Sequence, residues 1–167
     1  MQLRDYQIEI ADRAKEIIDD SGFVYLAMQV RTGKTLTSLY ISKMVGSENV
    51  LFVTKKKAIS SIHEDYLKLN PGYNLWIVNY ESLHKFNMSK VDMIILDEAT
   101  SALDGKTESD LSTAISSLKG SVTVVMIAHR LSTVREADKI LYLDKGKIVA
   151  TGKFEELKQN VPSFRDQ

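Results

Sequence analysis

Gly33-Lys34-Thr35 and Asp97-Glu98 are the residues whose types and spacing could do chemistry together. A short apolar run, Phe23-Val24-Tyr25-Leu26-Ala27-Met28, leads into Arg31-Thr32-Gly33-Lys34-Thr35, and Leu36, Leu39, Tyr40 and Met44 then recur at helical spacing. A strand, a loop and then a helix is the context that a phosphate-binding loop requires. The free backbone N–H groups and the dipole at a helix N-terminus both favour an anion there. In such a loop Lys34 reaches the β- and γ-phosphates, and the Thr35 hydroxyl ligates Mg²⁺. One position departs from the pattern, since the usual first glycine is replaced by Met28. The alternative is an ordinary helix start with a lysine in its first turn.

Met93-Ile94-Ile95-Leu96-Asp97-Glu98 is the second element, an apolar run that ends in adjacent carboxylates. Beside a phosphate loop, Asp97 holds Mg²⁺ through water, and Glu98 orients and deprotonates the attacking water. A strand end finished by solvated acids is the competing reading. The two elements together point to a purine nucleoside triphosphate, ATP with Mg²⁺.

The elements that must position these residues follow from periodicity. Apolar residues at 3, 6, 10, 14, 17 and 18 predict a helix stopped by Gly22. Short apolar runs predict strands at 23–28, 50–53, 75–78, 93–96 and 122–127. Between them lie a helix closed by Gly46, one running to about Leu69, and one capped by Thr107 and Asp110 that carries Leu111, Ile115 and Leu118 to Gly120. A short helix is expected from Ser132. Lys145-Gly146 joins two strands, 140–143 and 148–150, as a hairpin, and a last helix covers about 154–159. Strands alternating with helices predict an α/β fold, a three-layer P-loop arrangement with a mainly parallel sheet covered on both faces. One domain over 1–167 is expected.

Composition sets the bounds. Lys plus Arg and Asp plus Glu both number 22 in 167 residues, so no strongly basic nucleic-acid footprint is present. The absence of cysteine excludes disulfides and Cys-ligated zinc. No apolar run is long enough to span a bilayer, and the first residues do not form a secretory segment, so a soluble cytoplasmic protein is expected. Lys55-Lys56-Lys57 is read as a solvated loop in preference to a phosphate-backbone contact. His63 and His84 lack partners at metal-ligand spacing, and Trp76 is expected in the core.

Two family resemblances meet at the acidic pair. Residues 1 to about 98 resemble the first RecA-like domain of superfamily-two helicases of phage and chromatin-remodelling type. Leu3-Arg4-Asp5-Tyr6-Gln7 is similar to their N-terminal motif, Arg31-Thr32-Gly33-Lys34-Thr35 to motif I, Val50 to Lys55 to the motif that touches nucleic acid, and Asp97-Glu98-Ala99 to motif II. The resemblance implies that Gln7 reads adenine, with Tyr6 beside the base. It also implies that Arg31, Thr32, Gly33, Lys34 and Thr35 bind the nucleotide. From about Ile95 onward the chain instead resembles the C-terminal part of an ABC-transporter ATPase domain. Ile95 to Asp104 is similar to its Walker B and D-loop, and Ile127-Ala128-His129-Arg130-Leu131-Ser132-Thr133 to its switch-histidine loop. That resemblance implies a hydrogen bond from His129 to the γ-phosphate and the attacking water. Asp104 is expected only to cap a helix here.

The junction suggests a chimera, engineered or recombined, of two P-loop families at a motif common to both. No Leu-Ser-Gly-Gly-Gln segment precedes Asp97, and neither a Ser-Ala-Thr segment nor a second domain with an arginine finger follows it. Such fingers contribute roughly 10³–10⁵ in rate, so slow or absent hydrolysis is expected. Two other outcomes compete: a helicase-derived module that binds nucleic acid, and a folded hybrid without activity. Nucleotide is the expected partner, nucleic acid and membrane are not, and the chain is expected to be a monomer or weakly self-associating.

Overall fold

The computed structural model describes residues 2–28, 32–97, 113–115, 117–118, 120–128, 134–135, 137 and 139–166. Helix α1 spans Asp5–Ser21, and Ile10, Ala11, Ala14, Ile17 and Ile18 form its buried stripe at helical spacing. Its N-terminus is tied by Arg4 N–H, which donates to Gln7 Oε1 at 2.9 Å. Gly22 closes it in the left-handed region (φ 69°), with its N–H on the Ile18 carbonyl. Strand β1, Phe23–Ala27, is buried along its whole length, as its uninterrupted apolar sequence requires.

Helix α2 (Lys34–Val45), strand β2 (Asn49–Thr54), helix α3 (Ile59–Leu69), strand β3 (Asn74–Asn79) and strand β4 (Met93–Asp97) follow. Beyond them come β5 (Thr123–Ala128), β6 (Ile140–Asp144), β7 (Lys147–Gly152) and helix α4 (Phe154–Asn160). Residues 113–115 and 117–118 are helical, as their apolar spacing predicts, and a single turn at Pro162–Arg165 follows α4. The expected helix cap at Thr107 and Asp110, and the helix expected from Ser132, start outside the described residues.

All seven strands form one sheet in the order β3-β2-β4-β5-β1-β6-β7. Every pairing is parallel except β6 with β7, which Lys145 and Gly146 join as a tight hairpin with both residues at positive φ. Alternate side chains serve opposite faces. Val24 and Leu26 of β1, Phe52 of β2, Met93 and Ile95 of β4 and Val125 and Ile127 of β5 pack under α1, α2 and α3. Phe23, Tyr25, Leu51, Ile94, Leu96 and Val124 pack with Ile115, Phe154, Leu157 and Phe164 on the other side. The expected α/β fold, a mainly parallel sheet with helices on both faces, is therefore the observed one.

The strand order interleaves the two stretches of sequence. Strand β1 is hydrogen-bonded on one side to β5, from Phe23 opposite Val124 to Ala27 opposite Ala128. On its other side it pairs with β6, from Tyr25 opposite Ile140 to Ala27 opposite Tyr142. Lys139 adds an ion pair at 2.8 Å to Asp20 at the end of α1, which holds that exposed carboxylate below its ordinary pKa.

Two expectations change. Trp76, expected in the core, is only half-buried, because β3 is an edge strand and the indole leans edge-on against Phe86. Between β3 and β4 the chain makes 3-10 turns at Tyr80–Lys85 and Met88–Lys90, where no periodicity announces them. The exposed placement of His63 and His84 agrees with expectation.

Tyr73 is buried beneath α2, with its hydroxyl donating to Leu39 O at 2.9 Å. Burial raises its pKa well above the ordinary value of 10.0; a hydrogen bond involving Ser42 opposes the shift and the Tyr66 charge adds to it. The folded protein thus keeps a proton that the unfolded chain releases near pH 10. The associated stability is complete below that pH and is lost as pH rises above it. Urea titrations between pH 9 and 11 should show wild type losing stability about 1.4 kcal/mol per pH unit more steeply than Tyr73→Phe at the alkaline end. Equal slopes would refute this.

Candidate functional site

The ends of β1, β2, β4 and β5 lie at the carboxyl edge of the parallel sheet, where open α/β folds bind ligands. Strand β5 separates β1 from β4, and Leu26 and Asp97 both face Ile127 across its two edges. At the usual interstrand spacing the two strands are about 9.5 Å apart. A carboxylate on one and a phosphate loop after the other are thus spaced for something between them.

Helix α2 begins directly after Gly33, whose backbone is left-handed (φ 70°, ψ 33°). This conformation is open to glycine and strained for side chains with a Cβ. It turns the chain so that the first N–H groups of α2 begin at Lys34, with Thr37 N–H bonding back to Gly33 O at 3.0 Å. Lys34 and Thr35 are half-buried at the first turn, and Thr35 O accepts from Ser38 Oγ at 2.8 Å.

Two residues of α1 brace this loop. Gln7, buried at 4 % exposure, lies with Nε2 3.3 Å from Gly33 O and 3.4 Å from Thr37 Oγ1. Its Oε1 is occupied by Arg4 N–H. The Tyr6 hydroxyl donates to Thr32 O at 3.0 Å, and a Cβ added at Gly146 of the β6–β7 hairpin would meet the Tyr6 ring at 3.7 Å. The side chains expected at the base thus lie against the loop backbone, and the ring of one of them lies near the second stretch of sequence.

Asp97 ends β4 with its carboxylate fixed: Thr54 Oγ1, from the end of β2, donates to Asp97 Oδ2 at 3.1 Å. The Tyr80 hydroxyl donates to Asp97 O at 2.8 Å and lies 3.2 Å from Val53 O, tying the two strand ends together. Thr37 and Tyr80 have no motif of their own. Thr54 stands in the segment read as touching nucleic acid, whereas its buried hydroxyl faces the acidic motif. Lys56 and Lys57 are exposed in the turn after β2, as a solvated lysine run would be.

The structure therefore describes Gln7, Thr32, Gly33, Lys34 and Thr35 at one end of the site and Asp97 at the other. Arg31, Glu98, His129 and Asp104 lie outside the described residues. A hydroxyl and a carboxylate are hard oxygen donors, the set that Mg²⁺ takes when it is shared with phosphate oxygens and water. Thr35 and Asp97 fit that ion in kind.

A family model described as "Type III restriction enzyme, res subunit" matches residues 1–85. Among curated proteins, the beta-(1-->2)glucan export ATP-binding/permease protein NdvA of Rhizobium johnstonii is 53% identical over 72 residues, 43% of this chain and 12% of its own length. The protein of the same name from Brucella melitensis is 50% identical over 74 residues, 44% of this chain and 12% of that one. The chain thus spans about an eighth of the curated relatives it matches. A solved bacterial Atm1-family ABC exporter with ATP bound shares 35% identity over 45% of this chain and 13% of its own, with a TM-score of 0.42. The chain is similar both to a helicase-type P-loop family and to ABC exporter ATPases. Among the described residues no helix is long and apolar enough to cross a membrane.

Proposed function

Because the chain belongs to the type III restriction enzyme res subunit family, we propose that it is a P-loop domain that binds ATP with Mg²⁺ and hydrolyses it slowly or not at all. The observation that carries this reading is the left-handed Gly33 at the start of α2, followed by Lys34 and Thr35 and set across β5 from Asp97. The N–H groups of the first turn receive phosphate oxygens, with the Lys34 ammonium added to their field. Arg31 and Thr32 belong to the same loop, and Gln7 holds that loop in place. Thr35 and Asp97 would hold Mg²⁺, which when bound neutralises phosphate charge and orients the triphosphate.

Glu98 is the proposed base and His129 the proposed γ-phosphate contact, each directly after a described strand end. The chain is proposed to be a single domain and a chimera, helicase-like to about residue 98 and ABC-ATPase-like beyond it. Strand interleaving supports the first of these, and the dual likeness supports the second.

Calorimetric titration with Mg·ATP tests the reading. One-site binding at about 10–100 μM, roughly −7 to −5.5 kcal/mol, is expected for wild type. Lys34→Ala should lose at least about tenfold in affinity. No heat and no thermal stabilisation at millimolar ATP would refute the proposal. Turnover is expected below about 1 s⁻¹, the lower end for ordinary enzymes. A faster rate that vanishes in Glu98→Gln would overturn the expectation of slow hydrolysis.

A further inference from the structure

Strand alternation decides which groups can work with the phosphate loop. Val50 and Phe52 of β2 and Met93 and Ile95 of β4 point to the face covered by α1, α2 and α3. Two further steps along each strand bring Thr54 and Asp97 to that same face, one residue beyond the last pair, Val53 opposite Leu96. There Thr54 Oγ1 donates to Asp97 Oδ2 at 3.1 Å. Thr54 is only 1 % exposed, so its hydroxyl serves a neighbour within the protein and not a ligand in solvent. Asp97 is half-buried, and packing alone does not fix its two side-chain torsions. The bond from Thr54 sets the orientation of the carboxylate, while the Tyr80 hydroxyl, 2.8 Å from Asp97 O, sets the backbone beneath it. A hydrogen bond to an ionised acceptor is stronger than one between neutral groups, which suits it to this task.

We propose, resting on the P-loop reading above with Mg²⁺ held by Thr35 and Asp97, that Thr54 is a positioning residue for the metal. It aims the Asp97 carboxylate and so sets how much Mg²⁺ adds to nucleotide affinity. The phosphate loop is held separately, by Gln7 and Tyr6 of α1. Removing a group that orients a metal ligand from behind typically weakens the site about 10–100-fold. Asp97 is expected to reach the ion through water, so the lower end of that range applies.

The ratio of ATP affinities with Mg²⁺ and with EDTA, titrated on the full chain, tests this. Thr54→Val, equal in shape and lacking the hydroxyl, should cut that ratio about tenfold while the affinity in EDTA stays that of wild type. Thr54→Ser, which keeps the hydroxyl, should keep the wild-type ratio. In an Asp97→Ala background Thr54→Val should add nothing, because the threonine acts through that carboxylate. Thr54→Ala reads the same ratio if the valine variant does not fold. An unchanged ratio in Thr54→Val, or equal losses with and without the metal, would overturn the inference and leave the P-loop reading standing. A wild-type affinity that ignores Mg²⁺ would overturn it too. Absence of ATP binding in either buffer would remove both readings together.

Discussion

Cutting the chain between Asp97 and Glu98 should leave residues 1–97 unable to fold cooperatively. Strand β1 sits between β5 and β6, so the cut removes both of its hydrogen-bonded neighbours. It also removes the cover over Phe23 and Tyr25, which pack in one cluster with Val124, Tyr142, Phe154 and Phe164. Burial of each large apolar side chain contributes about 1.5–3 kcal/mol. Exposing several of them consumes a stability that totals about 5–15 kcal/mol for a domain. The remaining β3-β2-β4 sheet would present a raw edge at β4, a template for aggregation. Circular dichroism of the 1–97 fragment should show no sigmoidal thermal transition, while the full chain shows one. A sharp melt and a native-like near-ultraviolet spectrum from the fragment would contradict the interleaved sheet and the single-domain proposal.

Gly33→Val should weaken Mg·ATP binding at least about 100-fold while leaving the fold standing. A β-branched residue at a φ of 70° is a genuine outlier, and such strain costs about 1–3 kcal/mol. A Cβ at this position would also lie 2.6 Å from Gln7 Nε2, a clash the amide escapes only by leaving Gly33 O and Thr37. Strain and the lost brace act on the same few N–H groups, and about 2.7 kcal/mol between them gives 100-fold. The same strain lowers folding stability by about 1–3 kcal/mol, so the melting temperature should fall by several degrees while the fold is kept. Unchanged affinity in Gly33→Val would mean that the loop's left-handed turn has no part in holding phosphate.

Much of the fold was legible because its strands are covered on both faces. An uninterrupted run such as Phe23–Ala27 or Met93–Asp97 can hardly be read as anything but a buried strand, and Gly33, Gly46 and Lys145-Gly146 punctuate the elements where positive φ is needed. Strand order was not legible, because nothing local in β5 records that it lies between β1 and β4. That insertion is a property of packing between distant segments. Trp76 misled for a related reason: a large apolar side chain favours burial, but the lateral position of its strand decides how much cover is available. At the site, the sequence supplied the residues that carry charge and the loop that turns. It did not supply Tyr80, nor the role of Thr54, whose hydroxyls hold Asp97, since a threonine or tyrosine at a strand end has many other uses. Gln7 was found by resemblance, yet which atoms its amide would meet depended on how closely α1 approaches the loop.

The pairing of Tyr25 with Ile140 also has a consequence for how the protein is made. On a ribosome, β1 emerges about a hundred residues ahead of β6, so one of its partners is not yet synthesised when it appears. During that interval an apolar five-residue strand waits without neighbours, and at about 5–20 residues per second the wait lasts several seconds. Nascent chains of this protein are therefore natural clients for a holding chaperone, and slowing translation should lower its soluble yield.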